Sequence, residues 1–360
     1  MKTDTVKRLI TLHVPTSICN FRCHYCYLAQ RESAYEGRQA PMRFTPEQVA
    51  EALSVRRLGG PCFINACAEG ETLLTKDIDL YFKALATEGH YLEIVTNMSV
   101  TPMIDRILSW DKELLKHIEF KCSFHYLELK ERGLLDVFAA NVNKAWESGA
   151  SATVEITPSD ELIPYIEEVE AFSLKHFGAL PHLSIARDDR TEGIVKLTKL
   201  SDEEYRAAWS RFHSGFWDYK MEIFGKKQTG FCYAGEWSLY VDIATGEARA
   251  CYYRSLGNIF EDPSRPIPFK PIGQCPIAHC YNGHAFLTFG SIPGATIVRY
   301  GDIRNRVRSD GSEWLQPELK AFFNSNLTDS NRRWPRIREW SFVEARRLKR
   351  HLFGPKKKAK

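Results

Sequence analysis

The alternation of short apolar runs with amphipathic stretches over residues 1–200 most constrains the fold of this chain. A hydroxyl side chain followed by proline, at Thr45 and Pro46, starts one helix in the usual way. Repeated strand–helix units predict a parallel sheet wrapped by helices, with ligands at the carboxyl ends of the strands. The predicted strands cover residues 9–14, 62–66, 92–96, 118–123, 153–157 and 182–186, and further helical segments lie near residues 76–87, 102–116, 127–147 and 161–176.

Three closely spaced cysteines, Cys19, Cys23 and Cys26, follow the first predicted strand. A structural zinc site or an ordinary ferredoxin cluster closes its coordination with four protein ligands. A compact group of three thiolates therefore suggests an iron–sulfur cluster with one iron left open for a substrate or cofactor. Zinc or a disulfide is the alternative, although zinc ligands usually come in CxxC pairs.

The spacing CxxxCxxC, with Tyr25 directly before the third cysteine, resembles the cluster motif of the radical S-adenosylmethionine (radical SAM) enzymes. The resemblance implies a partial (β/α)6 barrel and a 4Fe-4S cluster whose open iron chelates S-adenosylmethionine. In that family, an electron from the cluster cleaves the sulfonium and yields a 5′-deoxyadenosyl radical, which abstracts hydrogen from the substrate. A flavodoxin or ferredoxin-type protein is the implied electron donor.

Residues after the later strands resemble the cofactor contacts of this family. In the segment after the second strand, Gly70 and Glu71 match the family's Gly-Gly-Glu-Pro run, whereas Ala68 and Thr72 depart from its glycine and proline. The resemblance implies that the backbone near Gly70 and the Glu71 carboxylate receive the methionine amino group. The other candidate contacts to S-adenosylmethionine are Tyr25, Thr96, Asn97, Ser123 and Arg187, with a serine bonded only to backbone as the alternative for Ser123.

A second set of cysteines, Cys232, Cys251, Cys275 and Cys280, lies in the carboxyl-terminal third. Residues 237–243 and the glycine turn after them predict a β-hairpin that brings the first two of these cysteines together. The pattern resembles Twitch, a shortened relative of the SPASM auxiliary-cluster domain, and implies one further 4Fe-4S cluster. Four thiolates also suit zinc, so a zinc site is the alternative here.

Cys62, Cys67 and Cys122 belong to neither set. Cysteine is often a small buried hydrophobe, and Cys62 and Cys122 lie in apolar predicted strands. Cys67 lies in a loop expected to face the active site. A radical epimerase removes hydrogen from one face of a carbon and returns it from the other, and a thiol is a favoured donor. Cys67, and after it Cys122, is therefore the predicted catalytic hydrogen donor.

Four residues at or near strand ends are candidate substrate ligands: His125, Glu155, Asp188 and Asp189. Alternation along a barrel strand turns Glu155 inward if its apolar neighbours face the helices. A salt bridge at the barrel rim is the alternative for each of the four.

The cysteine content and the amino terminus together predict a cytoplasmic location. The chain carries 10 cysteines, and we find neither a signal peptide nor an apolar run as long as a membrane span. Many thiols in a non-secreted chain indicate metal or redox use rather than disulfides.

The end of the chain is strongly basic. Residues 299–360 carry 17 lysines and arginines against 7 acidic residues, although the net charge of the whole chain is only +4. Residues 335–353 show helical spacing and predict a helix that closes the protein with a solvated basic face, followed by a solvated end at residues 356–358. The alternatives are peripheral contact with anionic lipid or an anionic substrate held by this helix. No nucleic-acid motif is recognisable, so no nucleic-acid partner is expected.

The substrate prediction depends on a broader resemblance. Segments 155–162, 280–286 and 314–317 are similar to uncharacterised radical SAM proteins encoded among polysaccharide-assembly genes. This favours a saccharide substrate, either a small molecule or one linked to a nucleotide or lipid, and an epimerase or oxidoreductase activity. A peptide-modifying maturase is the second prediction, although the cysteine loop begins early in the chain. A non-enzymatic, zinc-stabilised binding protein is the third.

The resemblances imply an α/β fold: a partial (β/α)6 TIM-like barrel with a small carboxyl-terminal Twitch-like hairpin and helix domain for the auxiliary cluster. The chain has 360 residues, enough for one large domain and a smaller one. The predicted segments are a barrel over residues 1–200, a helical link over 201–230, the auxiliary-cluster domain over 231–298 and a basic helical extension over 299–360.

Overall fold

The computed structural model describes residues 4–30, 37–191, 193–280 and 296–353. Six strands pair in parallel and in chain order, and helices cover the outer face of the sheet that they form. This arrangement confirms the predicted partial (β/α)6 barrel. The six strands are β1 (Arg8–Val14), β2 (Cys62–Ala68), β3 (Tyr91–Thr96), β4 (Ile118–Ser123), β5 (Ser151–Ile156) and β6 (His182–Leu183).

The helices begin where the sequence signals place them. Thr45 caps α1: its side chain accepts a hydrogen bond from the Gln48 backbone, and the Gln48 side chain accepts one from the Thr45 backbone. Predicted segment 127–147 is interrupted near Gly133, whose φ of 64° is left-handed. The helices are α1 (Pro46–Ala52), α2 (Val55–Leu58), α3 (Ile78–Thr87), α4 (Thr101–Leu108), α5 (Lys112–Leu115), α6 (Tyr126–Glu131), α7 (Leu135–Ser148), α8 (Ile166–Phe177), α9 (Asp202–Trp209), α10 (Gly215–Ile223), α11 (Tyr300–Arg304), α12 (Pro317–Phe323), α13 (Leu327–Ser330) and α14 (Arg336–Phe353).

The predicted hairpin extends the barrel sheet past β1. β10 pairs in parallel with β1, and β11 and β12 continue antiparallel from it. The turn needs glycine because a side chain at Gly246, where φ is 76°, would lie 2.6 Å from Asn258 and Phe260 atoms. The remaining strands are β7 (Arg187–Asp188), β8 (Val195–Lys196), β9 (Phe231–Cys232), β10 (Ser238–Asp242), β11 (Glu247–Ala250), β12 (Arg254–Asn258) and β13 (Gly273–Gln274).

The carboxyl-terminal helices close the amino-terminal end of the barrel. Tyr91, at the start of β3, stacks on Phe322 of α12 with ring centroids 3.8 Å apart. Phe63 of β2 packs edge-to-face against Phe323 of α12 and at a tilt against Tyr300 of α11. The opposite end, where the parallel strands finish, is left for ligands.

Helix α14 differs from its prediction. Phe342 packs against Phe231 and Trp334, while Arg346 donates to the Ile272 carbonyl at 2.6 Å. Four large apolar side chains of this helix face solvent: Ile337, Trp340, Leu348 and Leu352 are 69%, 62%, 59% and 68% exposed. The predicted solvated face therefore carries apolar as well as basic side chains, because the helix packs through Phe342 against the antiparallel pair of β9 and β13. The predicted solvated end at residues 356–358 lies outside the described residues.

Candidate active site

A cavity of about 410 Å³ opens at the carboxyl ends of the barrel strands. Its size lies within the range of small-molecule sites. Side chains from β1 to β5, the loops after β1, β2 and β6, helix α10 and strand β10 line it. The site residues predicted from sequence that line it are Cys19, Cys23, Tyr25, Cys26, Cys67, Gly70, Ser123, His125, Glu155, Arg187 and Asp189.

The loop after β1 brings three thiols to the cavity. A tight turn joins Cys23 to Cys26, whose backbone N–H donates to the Cys23 carbonyl at 3.0 Å. Burial raises the pKa of Cys19 to about 11, and it raises that of Cys23 further, with the charges of Glu128, Cys26 and Cys19 adding to the effect. Cys19 and Cys23 therefore prefer their protonated form unless a metal withdraws the proton.

Gly70 allows the loop after β2 to pack closely against the cysteine loop. The backbone N–H of Glu71 donates to the Ile18 carbonyl at 2.8 Å. A Cβ atom at Gly70 would collide with the backbone of Ile18, directly before Cys19. Only glycine allows the two loops to approach this closely, so the residue positions the first thiol.

Glu71 holds the ends of β2 and β3 together and does not line the cavity. Its carboxylate accepts hydrogen bonds from the Thr96 hydroxyl and the Asn97 backbone at 2.7 Å each, and from the Leu73 backbone at 3.0 Å. Thr96 and Asn97 are buried beside it. The neighbouring carboxylate of Glu69 lines the cavity instead. Sequence reasoning did not single out Glu69.

Tyr25 is held by a partner from β4's carboxyl end. Its hydroxyl lies 2.6 Å from Nδ1 of His125. Burial lowers the pKa of His125 to about 4, so the ring is neutral near pH 7. Its Nδ1 can then accept a hydrogen bond from the tyrosine hydroxyl. His125, predicted as a substrate ligand, therefore orients the aromatic residue of the cysteine motif.

The charges after β6 are paired at the rim. Arg187 lies 2.9 Å from Asp189 and its guanidinium stands 4.1 Å from the centre of the Tyr27 ring. Asp188 accepts from the Arg190 side chain at 2.8 Å and points away from the cavity. The rim ion pairs considered from sequence are thus present for both aspartates.

The three remaining cysteines have different surroundings. Cys62 and Cys122 are fully buried, and neither lines the cavity. Cys67 lines it, and burial raises the pKa of its thiol to about 11, although the charge of Lys121 acts in the opposite direction. Cys67 therefore carries its hydrogen at neutral pH, in contact with the space where a substrate would lie.

The floor of the cavity is charged, and most of its residues were not predicted. Glu155 turns inward as expected and lies 2.7 Å from Arg304 of α11 and 3.6 Å from Lys121 of β4. Lys220 of α10 also lines the cavity. Burial opposes ionisation of Glu155, but the charges of Lys121, Lys220 and Arg304 lower its pKa to about 2. Side chains alternate along β4, so Lys121 lies on the same face as Ser123, and this pattern could have identified Lys121 as a cavity residue. No local sequence pattern identifies Lys220 or Arg304 as site residues.

The second cysteine set converges on one region. β9 and β13 pair at Cys232 and Gly273, which brings Cys232 near Cys275. Burial raises the pKa of Cys251 to about 12, with Cys232 and Cys275 contributing, and it raises that of Cys280, with the other three cysteines contributing. The four thiols are therefore close enough to influence one another.

The two cysteine sets supply thiol donors, which both iron–sulfur clusters and zinc accept. Within the described ranges, no three histidine, cysteine, aspartate or glutamate side chains surround a point in the way that one metal ion requires. A cluster distributes its thiolates over several irons, so its ligands need not meet at one point. Zinc would draw four thiolates to about 2.3 Å from one centre.

Comparison of the sequence with known families and characterised proteins gives no identification. No protein-family profile matches the chain. No curated protein matches it either.

Several solved structures share part of the chain path. SuiB of Streptococcus suis bound to S-adenosylmethionine is 18% identical, with a TM-score of 0.49 over 79% of this chain and 69% of that chain. Against another SuiB structure, this chain spans only 64% of the SuiB length. The anSMEcpe enzyme with bound AdoMet is 12% identical, with a TM-score of 0.49 over 72% of this chain and 80% of that chain. BtrN in complex with AdoMet and 2-DOIA is 16% identical at a TM-score of 0.32, over 72% of this chain and 80% of that chain. These likenesses concern chain path and assign no activity.

Proposed function

We propose that this protein is a radical SAM enzyme. The observation that carries the proposal is the placement of Cys19, Cys23 and Cys26 together at the open end of a partial (β/α)6 barrel, lining one cavity. The bound 4Fe-4S cluster and S-adenosylmethionine would supply the reductive cleavage and the 5′-deoxyadenosyl radical. The zinc-stabilised binding protein is the competing proposal, and it gives no reason for a cavity beside the three thiols.

The residues around the thiols have separate proposed roles. Tyr25, fixed by His125, would pack against the adenine, and Ser123 would donate its hydroxyl hydrogen to the cofactor ribose or carboxylate. Arg187 would attract the methionine carboxylate from the rim. Gly70 and Glu71 would shape the pocket for the amino group through the backbone, since the Glu71 carboxylate already accepts three hydrogen bonds.

Anaerobic purification tests this proposal. We expect a brown protein that binds about eight irons, in two clusters of four, and that forms 5′-deoxyadenosine when reduced in the presence of S-adenosylmethionine. Cys23→Ser should remove one cluster and all deoxyadenosine formation, whereas Cys62→Ser, with its side chain in the core, should retain both. A colourless, zinc-containing protein without deoxyadenosine formation would refute the proposal.

We further propose that the substrate is a saccharide and that the reaction is an epimerisation or a dehydrogenation. Hydroxyl and amide side chains at the cavity, from Asn65, Thr157 and Ser184, suit a polyhydroxylated molecule. In an epimerisation, Cys67 would give its thiol hydrogen atom to the substrate radical. One electron from a flavodoxin or ferredoxin-type partner and one proton would then restore the thiol.

Cys67→Ala and Cys122→Ala form a matched pair that tests this assignment. We expect Cys67→Ala to form deoxyadenosine at the wild-type rate but to give no inverted product, because the returning hydrogen has lost its donor. Cys122→Ala should behave like the wild type. Nucleotide-linked sugars in deuterated water provide the readout: deuterium at one inverted carbon indicates epimerisation, and loss of two hydrogens indicates dehydrogenation. Inversion by Cys67→Ala with deuterium incorporation would contradict the role.

The exposed stripe on α14 supports a proposed peripheral contact with anionic membranes from the cytoplasmic side. Four large apolar side chains, at 337, 340, 348 and 352, face solvent on a helix that also carries Arg336, Arg338, Arg346, Arg347 and Lys349. Within the described residues, no helix is long and apolar enough to cross a membrane.

The four sequence segments, 1–200, 201–230, 231–298 and 299–360, remain our proposed domain organisation.

Vesicle sedimentation tests the membrane contact. Vesicles with phosphatidylserine should bind the wild type, and added salt should weaken the binding. Trp340→Ser with Leu348→Ser should reduce binding at least about tenfold because two apolar side chains no longer enter the lipid. Leu80→Ser with Leu174→Ser, which changes exposed leucines elsewhere, is the control. Equal binding by both double variants would exclude α14 as the contact.

A further inference from the structure

Three cationic groups, those of Arg304, Lys121 and Lys220, surround the single carboxylate of Glu155. Arg304 forms ion pairs with two carboxylates, Glu155 at 2.7 Å and Glu119 at 3.6 Å. Lys121 shares Glu155 with it at 3.6 Å. Among the described residues, no carboxylate lies within the 4 Å ion-pair distance of Lys220. Two lysine ammonium groups, those of Lys121 and Lys220, therefore line the cavity. The carboxylate beside them, that of Glu155, is already bonded to Arg304.

The carboxylates beneath the floor have their own partners. Glu119 accepts a hydrogen bond from the Thr153 hydroxyl at 2.5 Å. Burial, and then the charge of Glu93, raise the pKa of Glu119 and favour its neutral form. Glu93 accepts hydrogen bonds from Asn65 and Tyr300. Neither carboxylate lines the cavity, so neither can meet the lysines there.

Both lysines line the same cavity as Cys67 and Ser123. Lys121 precedes Ser123 by two residues on β4 and points to the same face, toward the middle of the barrel. It is only 4% exposed. Lys220 reaches the same floor from α10. Cys67, on the end of β2, lines the cavity within the field of Lys121.

We propose that Lys121 and Lys220 form a subsite for an anionic group of the substrate, a phosphate or a carboxylate. This inference deepens the proposed function, since it names a property of the substrate of that same site. A buried pair of ammonium groups gains most when an anion shares its low-dielectric surroundings. An anion held there places the adjoining part of the molecule beside the Cys67 thiol. The basic helix α14 was considered from sequence as the holder of such a group, but none of its described side chains lines the cavity.

The groups that face Lys220 also predict how anion binding depends on pH. They are Lys121 of β4, Glu155 of β5, Arg187 after β6 and Arg304 of α11. Burial lowers the pKa of Lys220 to about 8; Glu155 acts against this change, and the three cations add to it. The ammonium form that attracts an anion is present below that pH and is lost above it, so binding should weaken as the pH rises from 7 to 9.

Calorimetric titration of the cluster-loaded protein tests the subsite. Sulfate serves as the probe because its charge is constant over this pH range, and glucose 1-phosphate and glucuronate compare the two anion classes. We expect saturable sulfate binding that weakens at pH 9, and at least a tenfold loss of affinity in Lys220→Met and in Lys121→Met. Lys226→Met, on an exposed lysine just beyond α10, should bind like the wild type. Absence of sulfate binding, or equal binding by all variants, would overturn the proposal.

Cofactor measurements on the same variants separate this inference from the proposed function. Lys220→Met should bind S-adenosylmethionine and form deoxyadenosine as the wild type does, because the cofactor lies nearer the cysteine loop. A parallel loss of S-adenosylmethionine affinity would assign the lysines to the methionine carboxylate and refute a substrate subsite. Absence of deoxyadenosine from the wild type itself, with sulfate binding intact, would instead refute the radical SAM activity.

Discussion

Arg304→Met should destabilise the protein by about 3–5 kcal/mol, the usual cost of removing one partner from a buried ion pair. Arg304 is completely buried, lies 2.7 Å from Glu155 and 3.6 Å from Glu119, and donates to the Thr153 hydroxyl. Methionine fills a similar volume but leaves both carboxylates without their shared cation. Urea unfolding under anaerobic conditions measures the loss.

The control for this variant is Arg306→Met. Arg306 donates to the backbone carbonyls of Phe212 and His213, at 2.9 and 3.0 Å, and meets no carboxylate among the described residues. Its replacement should cost about 1 kcal/mol. If both variants lose the same stability, Arg304 does not act through the buried charges.

The pH dependence of the Arg304→Met variant gives a second readout. Glu155 has its pKa lowered from 4.5 to about 2 in the folded wild type. That shift contributes stability above pH 4.5, and the contribution is lost as the pH falls toward 2. Without Arg304, the pKa of Glu155 should rise, so the difference in stability between variant and wild type should be constant above pH 4.5 and shrink as the pH falls from 4.5 toward 2.

Gly70→Ala should remove most of the proposed enzyme activity while leaving the barrel folded. The new methyl group would meet the Ile18 backbone, which Glu71 already holds at 2.8 Å. Relief of the clash must move the loop that carries Cys19. A displacement of about 1 Å can lower a rate about 100-fold when it affects groups that position the reaction. We therefore expect reduced occupancy of the first cluster and at least that loss in deoxyadenosine formation.

Gly193→Ala is the matched control because no atom of the described residues lies within 4 Å of a Cβ atom placed there. Iron content, deoxyadenosine formation and circular dichroism should equal those of the wild type in this control. Circular dichroism should also be unchanged in Gly70→Ala, since the residue lies in a loop. Full iron content and normal deoxyadenosine formation in Gly70→Ala would show that the cysteine loop tolerates separation from the loop after β2.

Sequence reasoning was most successful where the signal is local. β4 begins and ends as predicted at Ile118–Ser123, and α1 begins directly after the predicted cap at Thr45. Period and capping depend on neighbouring residues, so they can be read without the fold. The orientation of α14 could not be predicted in this way, because it depends on the packing of Phe342 against Phe231, which lies far away in the sequence.

By itself, the sequence determined the strand and helix succession, the grouping of Cys19, Cys23 and Cys26 after the first strand, and the inward direction of Glu155. Only the tertiary structure decided which groups share the cavity. It directed Glu71 to the ends of the strands, and Lys220 and Arg304 to the barrel floor. The physical reason is that burial and charge pairing depend on residues far apart in the chain: Arg304 meets Glu155 across 149 positions.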